Sequence, residues 1–270
     1  MVDAAIVATP HETLYDVSLS AINAGVHVLA EKPIALSGRE AANIEDAVEK
    51  AGIFYMSGYS FRFVAGLRQV HDLLAVGAVG QVQAISANIG TRPKLSGWIS
   101  SPETGGGALL YLGSHLVDEI LWFVNDDPVE VFANIRHRAD TRADDTSAFQ
   151  IRFAGGTVAQ CIATQASASF FNNVDIIGSD GRITLWGSGF LSYDILLSSA
   201  KLEAYSQPTM LRPHVIGDPI LAMLVPELEE SAAAVRENRQ PSITAADGRR
   251  VLTILDAALT SGRTAQPVEL

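Results

Sequence analysis

The sequence predicts an α/β chain. A parallel strand–helix–strand–helix–strand piece comes first, followed by an α+β domain built on a large, mostly antiparallel open sheet. Three observations predict this. Within the first 60 residues, short continuous apolar runs alternate with stretches of helical spacing, as expected of strands covered on both faces and their crossover helices. From about residue 129, apolar runs follow one another, separated by turn strings such as Ala154-Gly155-Gly156-Thr157 and Gly178-Ser179-Asp180-Gly181. Beyond about residue 219 the helical spacing returns.

Taken in order, residues 4–9 (AAIVAT) read as a strand stopped by Pro10. Residues 14–25 read as a helix, with Leu14, Val17, Ala21 and Ile22 on one face and Gly25 as its stop. Residues 26–30 (VHVLA) are a second strand. Residues 37–52 are a helix with Ser37 as N-cap and Gly52 at its end, and 53–59 a third strand. A helix is expected over 62–77 and a strand over 80–90. A polar, irregular stretch over 91–104 holds Trp98. Gly105-Gly106-Gly107 opens a helix that runs to about Val124. Strands are expected at 129–137, 146–153, 157–165, 173–178 and 182–186, then helices at 219–238 and 245–261.

The chain has 270 residues and is 48% hydrophobic, enough for one large domain or two intimate ones. With 30 acidic against 19 basic residues, its formal charge is −11, which argues against nucleic acid or an anionic membrane surface as partner. Cys161 is the single cysteine, so no intramolecular disulfide forms and a reducing cytoplasm is the expected compartment. No apolar run approaches the roughly 20 residues of a membrane span, and the start, Met1-Val2-Asp3, lacks a basic leader. No zinc-like spacing of His, Cys and carboxylates occurs, so no metal site is expected, and there is no Gly-x-Ser-x-Gly elbow.

Two places stand out chemically. Open α/β sheets bind ligands beyond the carboxyl ends of their strands. Two such ends carry Thr9-Pro10-His11 and Glu31-Lys32-Pro33. Charges at the end of an apolar strand are either an ordinary exit into a loop or a lysine aimed into a site. A cis bond at Lys32-Pro33 would fix that direction. The second place is GGGALLYLGSHLVDEILWF, residues 105–123. Tyr111 and His115 lie four apart on one helix face, with Asp118 and Glu119 one turn on, a set able to do acid–base work. The ordinary alternative is an amphipathic helix whose polar face holds a histidine. The three glycines serve either as a flexible entry or as a close approach to a ligand.

Together these strings resemble the Gfo/Idh/MocA family, oxidoreductases named for glucose-fructose oxidoreductase and inositol dehydrogenase. AINAGVHVLAEKPIAL (21–36) is similar to the family's AGKHVLxEKPxA signature, and DAAIVATP (3–10) to its fourth Rossmann strand. Residues 57–82, Trp98 with 105–123, 174–185 and 243–270 resemble further family blocks in the same order. The resemblance implies a partial Rossmann domain over 1–61, its first strands missing, and an α+β substrate-binding and oligomerisation domain over 62–270, whose C-terminal helices pack back on the first. It implies an NAD- or NADP-dependent dehydrogenase acting on a secondary alcohol of a sugar or cyclitol, assembled as a dimer or tetramer through the open sheet.

Residue by residue, Lys32 matches the lysine between nicotinamide and substrate, and His115 the general base. Asp118 matches a positioning carboxylate. Thr9, Pro10, His11, Glu31 and Arg62 match the nicotinamide side, and Trp98 and Tyr111 the substrate side. Three departures are expected to matter. Tyr111 stands where most members have Asp, resembling the glucose-fructose oxidoreductase branch. A phenol of pKa about 10 needs a nearby cation to become a base, and Lys32 is the expected one. Leu14 stands where the family often has His. The Gly-x-Gly-x-x-Gly turn and cofactor selector have no counterpart, and GSGFLS (187–192) is out of place for them. From this the sequence reads as a fragment or a chain with a misassigned start, weak in dinucleotide affinity, whose first strand is an exposed apolar edge. The competing reading is a non-catalytic relative that keeps the sheet domain as an oligomerisation or ligand-binding module.

Overall fold

A computed structural model describes residues 2–92, 97–139, 143–189 and 191–270. The segment 93–96 within the predicted irregular stretch, and Phe190 of GSGFLS, lie outside the described residues.

Three short strands, β1 (Ala4–Val7), β2 (His27–Glu31) and β3 (Tyr55–Gly58), pair in parallel in that order. Ile6 faces Leu29, and Leu29 faces Met56. The crossovers are α1 (His11–Asn23) and α2 (Gly38–Ala51). In α2 the Ser37 hydroxyl accepts from the Glu40 N–H, the Glu40 carboxylate accepts from the Leu36 N–H, and Gly52 closes the helix at φ 64°. α1 starts at His11, directly after Pro10, which presets the backbone for helix entry. Its first turn therefore lies at the carboxyl end of β1. No described strand pairs with the outer edge of β1, where Ile6 is 64% exposed, so the expected apolar edge is present.

The second part begins with a 3₁₀ turn over Ser60–Phe63 and α3 (Ala65–Ala75). Its sheet has nine strands: β4 (Val82–Gly90), β5 (Pro128–His137), β6 (Asp144–Phe153), β7 (Val158–Thr164), β8 (Phe171–Gly178), β9 (Gly181–Gly189), β10 (Ser192–Ser199), β11 (Thr209–Leu211) and β12 (Val268–Glu269). The spatial order is β11-β10-β9-β8-β4-β7-β6-β5-β12. Every described neighbour pair is antiparallel except β4 with β7, which makes the sheet mixed. Strands β10, β11 and β12 were not predicted. β11 and β12 are too short to show a period, whereas β10 alternates strictly in burial, with Tyr193, Ile195 and Leu197 inward, a signal the sequence reading passed over.

Helix α4 (Ser114–Val124) lies across the inner face, preceded by a π-helical turn over Leu109–Gly113. The Pro102–Val124 stretch is long and apolar enough to pass for a membrane span, contrary to the sequence reading, but 78% of its most apolar window is buried inside the protein. It is a core helix. Two C-terminal helices follow, α5 (Pro219–Glu237) and α6 (Ala245–Thr264). α6 touches both sheets. Its Ser261 hydroxyl accepts from the Ala133 N–H of β5, and its Asp256 carboxylate accepts from the Gly38 N–H of α2. A reciprocal Thr244–Asp247 capping box fixes where it starts.

Candidate active site

The carboxyl ends of β1 and β2 face the π-helical turn and the start of α4 across a cavity of about 430 Å³. Its walls include Thr9, His11, Glu31 and Lys32 from the first part, and Trp98, Tyr111 and His115 from the second. Seven residues singled out in the sequence are thus brought together from segments as much as 106 positions apart.

The glycines explain how the two parts come this close. A Cβ on Gly105 (φ +85°) would lie 2.7 Å from His11 Cβ and from Leu36 Cδ2. One on Gly106 would strike the Ile99 carbonyl at 2.3 Å, and one on Gly107 (φ +112°) the Asp144 carboxylate at 2.0 Å. The run serves close approach to protein, and Gly105 in particular lets the loop before α4 seat on α1. The Asp144 carboxylate, buried there, accepts from the Leu109 N–H and so holds the first turn of the helix.

Lys32 is half-buried at the centre. The Lys32-Pro33 bond is cis, as the sequence suggested. Its ammonium donates to the main-chain carbonyl of Tyr111 at 2.9 Å and lies 4.9 Å above that ring's centre. Burial lowers its pKa to about 8, and the Glu31 carboxylate pulls the other way. It remains mostly protonated at neutral pH.

His115 is 9% exposed and stacks on Phe61 at 4.1 Å between ring centres. Its Nδ1 is buried with no partner. Burial, then the charge of Lys32, hold its pKa well below the ordinary value, so the imidazole is neutral. The unpaired Nδ1 is costly for folding and sealed from the cavity, so a ligand's proton would go to Nε2, the ring nitrogen not so sealed.

The expectation for Tyr111 is corrected. Lys32 does not prepare its phenol as a base, because the ammonium engages the ring face and the main chain. Burial raises the phenol above its ordinary value. Tyr111 is a neutral wall and hydrogen-bonding group here.

Arg62 and Asp118 are not brought to this cavity. Asp118 accepts from Arg62 Nε at 2.9 Å and Nη2 at 2.6 Å, and Arg62 Nη2 reaches Asp247 at 3.2 Å. Burial pushes Asp118 up to about 6 while Arg62 pulls it down, leaving an ionised pair at neutral pH. From His115 to Asp118 the helix turns by about 60° and rises about 4.5 Å. That is enough to move the side chain from the cavity to the 3₁₀ turn carrying Arg62. The pair ties α4 to that turn and to α6, and Arg62 lines a separate cavity of about 550 Å³ with Trp122 and Arg250.

Sequence reasoning missed Phe61, Thr91, Leu112 and Phe170 in the wall. Phe61 had a signal, an aromatic directly before Arg62 in a matched block; the others are apolar or small residues with no pattern of their own. It also missed Glu227 on α5, 4% exposed, whose pKa is raised to about 8 by burial and then by the Glu31 carboxylate.

Comparison with known proteins fits this geometry. Residues 1–59 match the model of the oxidoreductase family with an NAD-binding Rossmann fold, and 67–184 match the GFO/IDH/MocA C-terminal domain. The chain belongs to the Gfo/Idh/MocA oxidoreductase family. Among its Gfo/Idh/MocA relatives is the 1,5-anhydro-D-fructose reductase of Ensifer adhaerens, 28% identical over 280 residues, covering 100% of this chain and 80% of the relative. Another is the trans-1,2-dihydrobenzene-1,2-diol dehydrogenase of Danio rerio, 30% identical over 182 residues, covering 67% of this chain and 54% of the relative. Among solved structures, GenD2 from gentamicin A biosynthesis, in complex with NAD, superposes with a TM-score of 0.85 at 28% identity, covering 100% of this chain and 78% of that one. Members of this family are NAD(P)-binding oxidoreductases of sugar-type substrates, and the first part of the chain is the NAD-binding fold of that family.

Proposed function

We propose that this protein acts as an NAD(P)-dependent dehydrogenase, moving hydride between nicotinamide and a secondary alcohol of a sugar or cyclitol. The observation that carries the reading is the convergence of a half-buried lysine and a buried, neutral histidine, Lys32 and His115, on one cavity at the carboxyl end of a parallel sheet.

The cavity residues fit a nicotinamide. The Thr9 hydroxyl is buried at the end of β1 without a partner, where a carboxamide would supply one. Thr9, Glu31 and Lys32 would hold the ring; Pro10, expected with them, is exposed and does not line the cavity. When bound, it supplies the acceptor or donor of hydride. In alcohol oxidation His115 takes the hydroxyl proton as the C–H bond gives up its hydride, leaving a carbonyl. Lys32 places its positive charge beside the oxygen while negative charge develops there. In the reverse direction His115, protonated, returns the proton. Trp98 and Tyr111 form the aromatic wall against which a sugar ring would lie.

Pairing of two copies through the outer face of the nine-stranded sheet is proposed with it, supported by Ile162 and Ile177 exposed on that face. The single thiol, Cys161, buried, supports a reducing compartment such as the cytoplasm.

The test is nicotinamide-linked turnover of a panel of sugars and cyclitols by the wild type and by Lys32→Met. Removing the ammonium is expected to lower kcat about 100-fold or more with the fold intact. Turnover unchanged in Lys32→Met, or absent from the wild type across the panel with both NAD and NADP, sinks the reading.

A further inference from the structure

His11 was expected on the cofactor side. Its ring neighbours are residues expected on the substrate side. It opens α1, is 5% exposed, and its Nδ1 lies 2.9 Å from the Gly105 carbonyl oxygen. A carbonyl only accepts, so in the neutral ring the single proton sits on Nδ1 and Nε2 carries a lone pair. Nε2 has no partner among the described residues and, unlike Nδ1 of His115, is not sealed from the cavity. The ring packs against residues of the substrate side, 3.9 Å from Trp98 and 6.4 Å from Tyr111 between centres. Burial and then the charge of Lys32 lower its pKa to about 3, so it is neutral at working pH. Lys32, His11 and His115 line the same cavity, and the charge of Lys32 acts on both neutral imidazoles.

We infer that His11 is a substrate-orienting residue whose Nε2 accepts a hydrogen bond from a second hydroxyl, next to the reacting one, so that the site selects vicinal diols and polyols over isolated secondary alcohols. One ammonium sharing a cavity with two acceptors is complementary to two adjacent hydroxyls. Each hydroxyl donates to one imidazole, and both oxygens lie within reach of Lys32. The latch to Gly105 holds the His11 ring in this orientation and fixes the tautomer that makes Nε2 an acceptor. Trp98, against the ring's face, restricts its rotation. This inference rests on the dehydrogenase reading and adds the substrate class to it.

Two probes differing by one hydroxyl test it: cyclohexane-1,2-diol and cyclohexanol. The first readout needs no turnover. In protein carrying nitrogen-15 histidine, the diol is expected to shift the Nε2 resonance of His11 and the resonances of His115, and cyclohexanol those of His115 alone. The second readout is the ratio of kcat/KM for diol over mono-ol, with nicotinamide cofactor. His11→Asn keeps a donor for the Gly105 carbonyl and removes the distal acceptor. The ratio should fall about 3- to 10-fold, chiefly through KM, as expected for one neutral hydrogen bond. His11→Gln, which places an amide near the Nε2 position, should recover part of it. Thermal unfolding of both variants checks that the fold is kept. A diol that shifts His115 but not His11, with the ratio unchanged in His11→Asn, overturns the inference and leaves the dehydrogenase reading standing. If neither histidine responds to the diol, to myo-inositol or to glucose, both fall.

Discussion

Two groups of polar residues meet α4 on adjoining faces about 60° apart, three residues apart in sequence, and their charges are handled differently. Around Arg62 the charges answer one another, a forked guanidinium on Asp118 with Asp247 beyond, although the neighbouring Tyr59 hydroxyl and Glu119 Oε2 are buried without a partner. Around Lys32, the ammonium is hydrogen-bonded to a main-chain carbonyl and to no carboxylate among the described residues, and Thr9 Oγ1 and His115 Nδ1 are buried and unpaired. Folding favours the first arrangement and tolerates the second only at a cost, because a buried polar atom without a partner loses its hydration for nothing in return. The difference teaches where to look for a ligand. Residue type alone does not separate the two groups, since each joins one cationic side chain to a titratable residue of the helix that the sequence marks as chemical.

The largest expected effect breaks the comparison at its two ends. His115→Asn should lower turnover about 10²- to 10⁴-fold, as for loss of a positioned general base, with unfolding free energy changed by less than about 1 kcal/mol, because its Nδ1 has no bond to lose. Asp118→Ala should do the reverse in kind, costing about 3–5 kcal/mol in urea unfolding by leaving a buried guanidinium short of its partner. If Asp118→Ala unfolds no more easily than wild type, the paired group is not structural and the contrast fails.

Acid titration sharpens it next. His11 and His115 have folded pKa values below the ordinary 6.5, His11 at about 3. Below pH 6.5 these two histidines bind more protons in the unfolded chain than in the folded one, so their contribution to stability falls as pH drops, by up to about 1.4 kcal/mol per pH unit each. Asp118, raised to about 6, Glu227, raised to about 8, and Glu119, raised by burial, act in the opposite sense, since there the folded state holds the extra proton. The histidine contribution is therefore read as a difference: between pH 7 and 4.5 the urea midpoint of His115→Asn should fall less, or rise more, than that of the wild type. A slope identical to that of the wild type would mean that the histidine is not held neutral.

The smallest effect concerns Tyr111. With its phenol raised by burial and Lys32 engaged with its ring and main chain, Tyr111→Phe removes a neutral hydrogen-bonding group and no base. Turnover should fall by less than about tenfold, with KM changed less than kcat. A loss as large as that of His115→Asn would restore the phenol to the role of base.

Much of this was legible in advance. The parallel piece, the antiparallel run, β4 and the two last helices fall within a few residues of where apolar period and glycine stops put them, because those signals are local. Lys32, His115, Thr9, His11, Trp98 and Tyr111 were all marked by motif, and the cavity contains them all. The helix over 62–77 was only half right, since Ser60–Phe63 forms a 3₁₀ turn that delivers Phe61 to the face of His115.

By itself the sequence determined the order of elements, the family, and which residue types could carry chemistry, since these are set by spacing along one chain. The tertiary structure alone decided which of those residues work together. Arg62 meets Asp118 across 56 positions and Asp247 across 185, and Lys32 meets Tyr111 across 79. No local period encodes such meetings. They follow from how α4 is rotated between two sheets, where about 60° of helix turn separates an imidazole left open to a ligand from a carboxylate already paired.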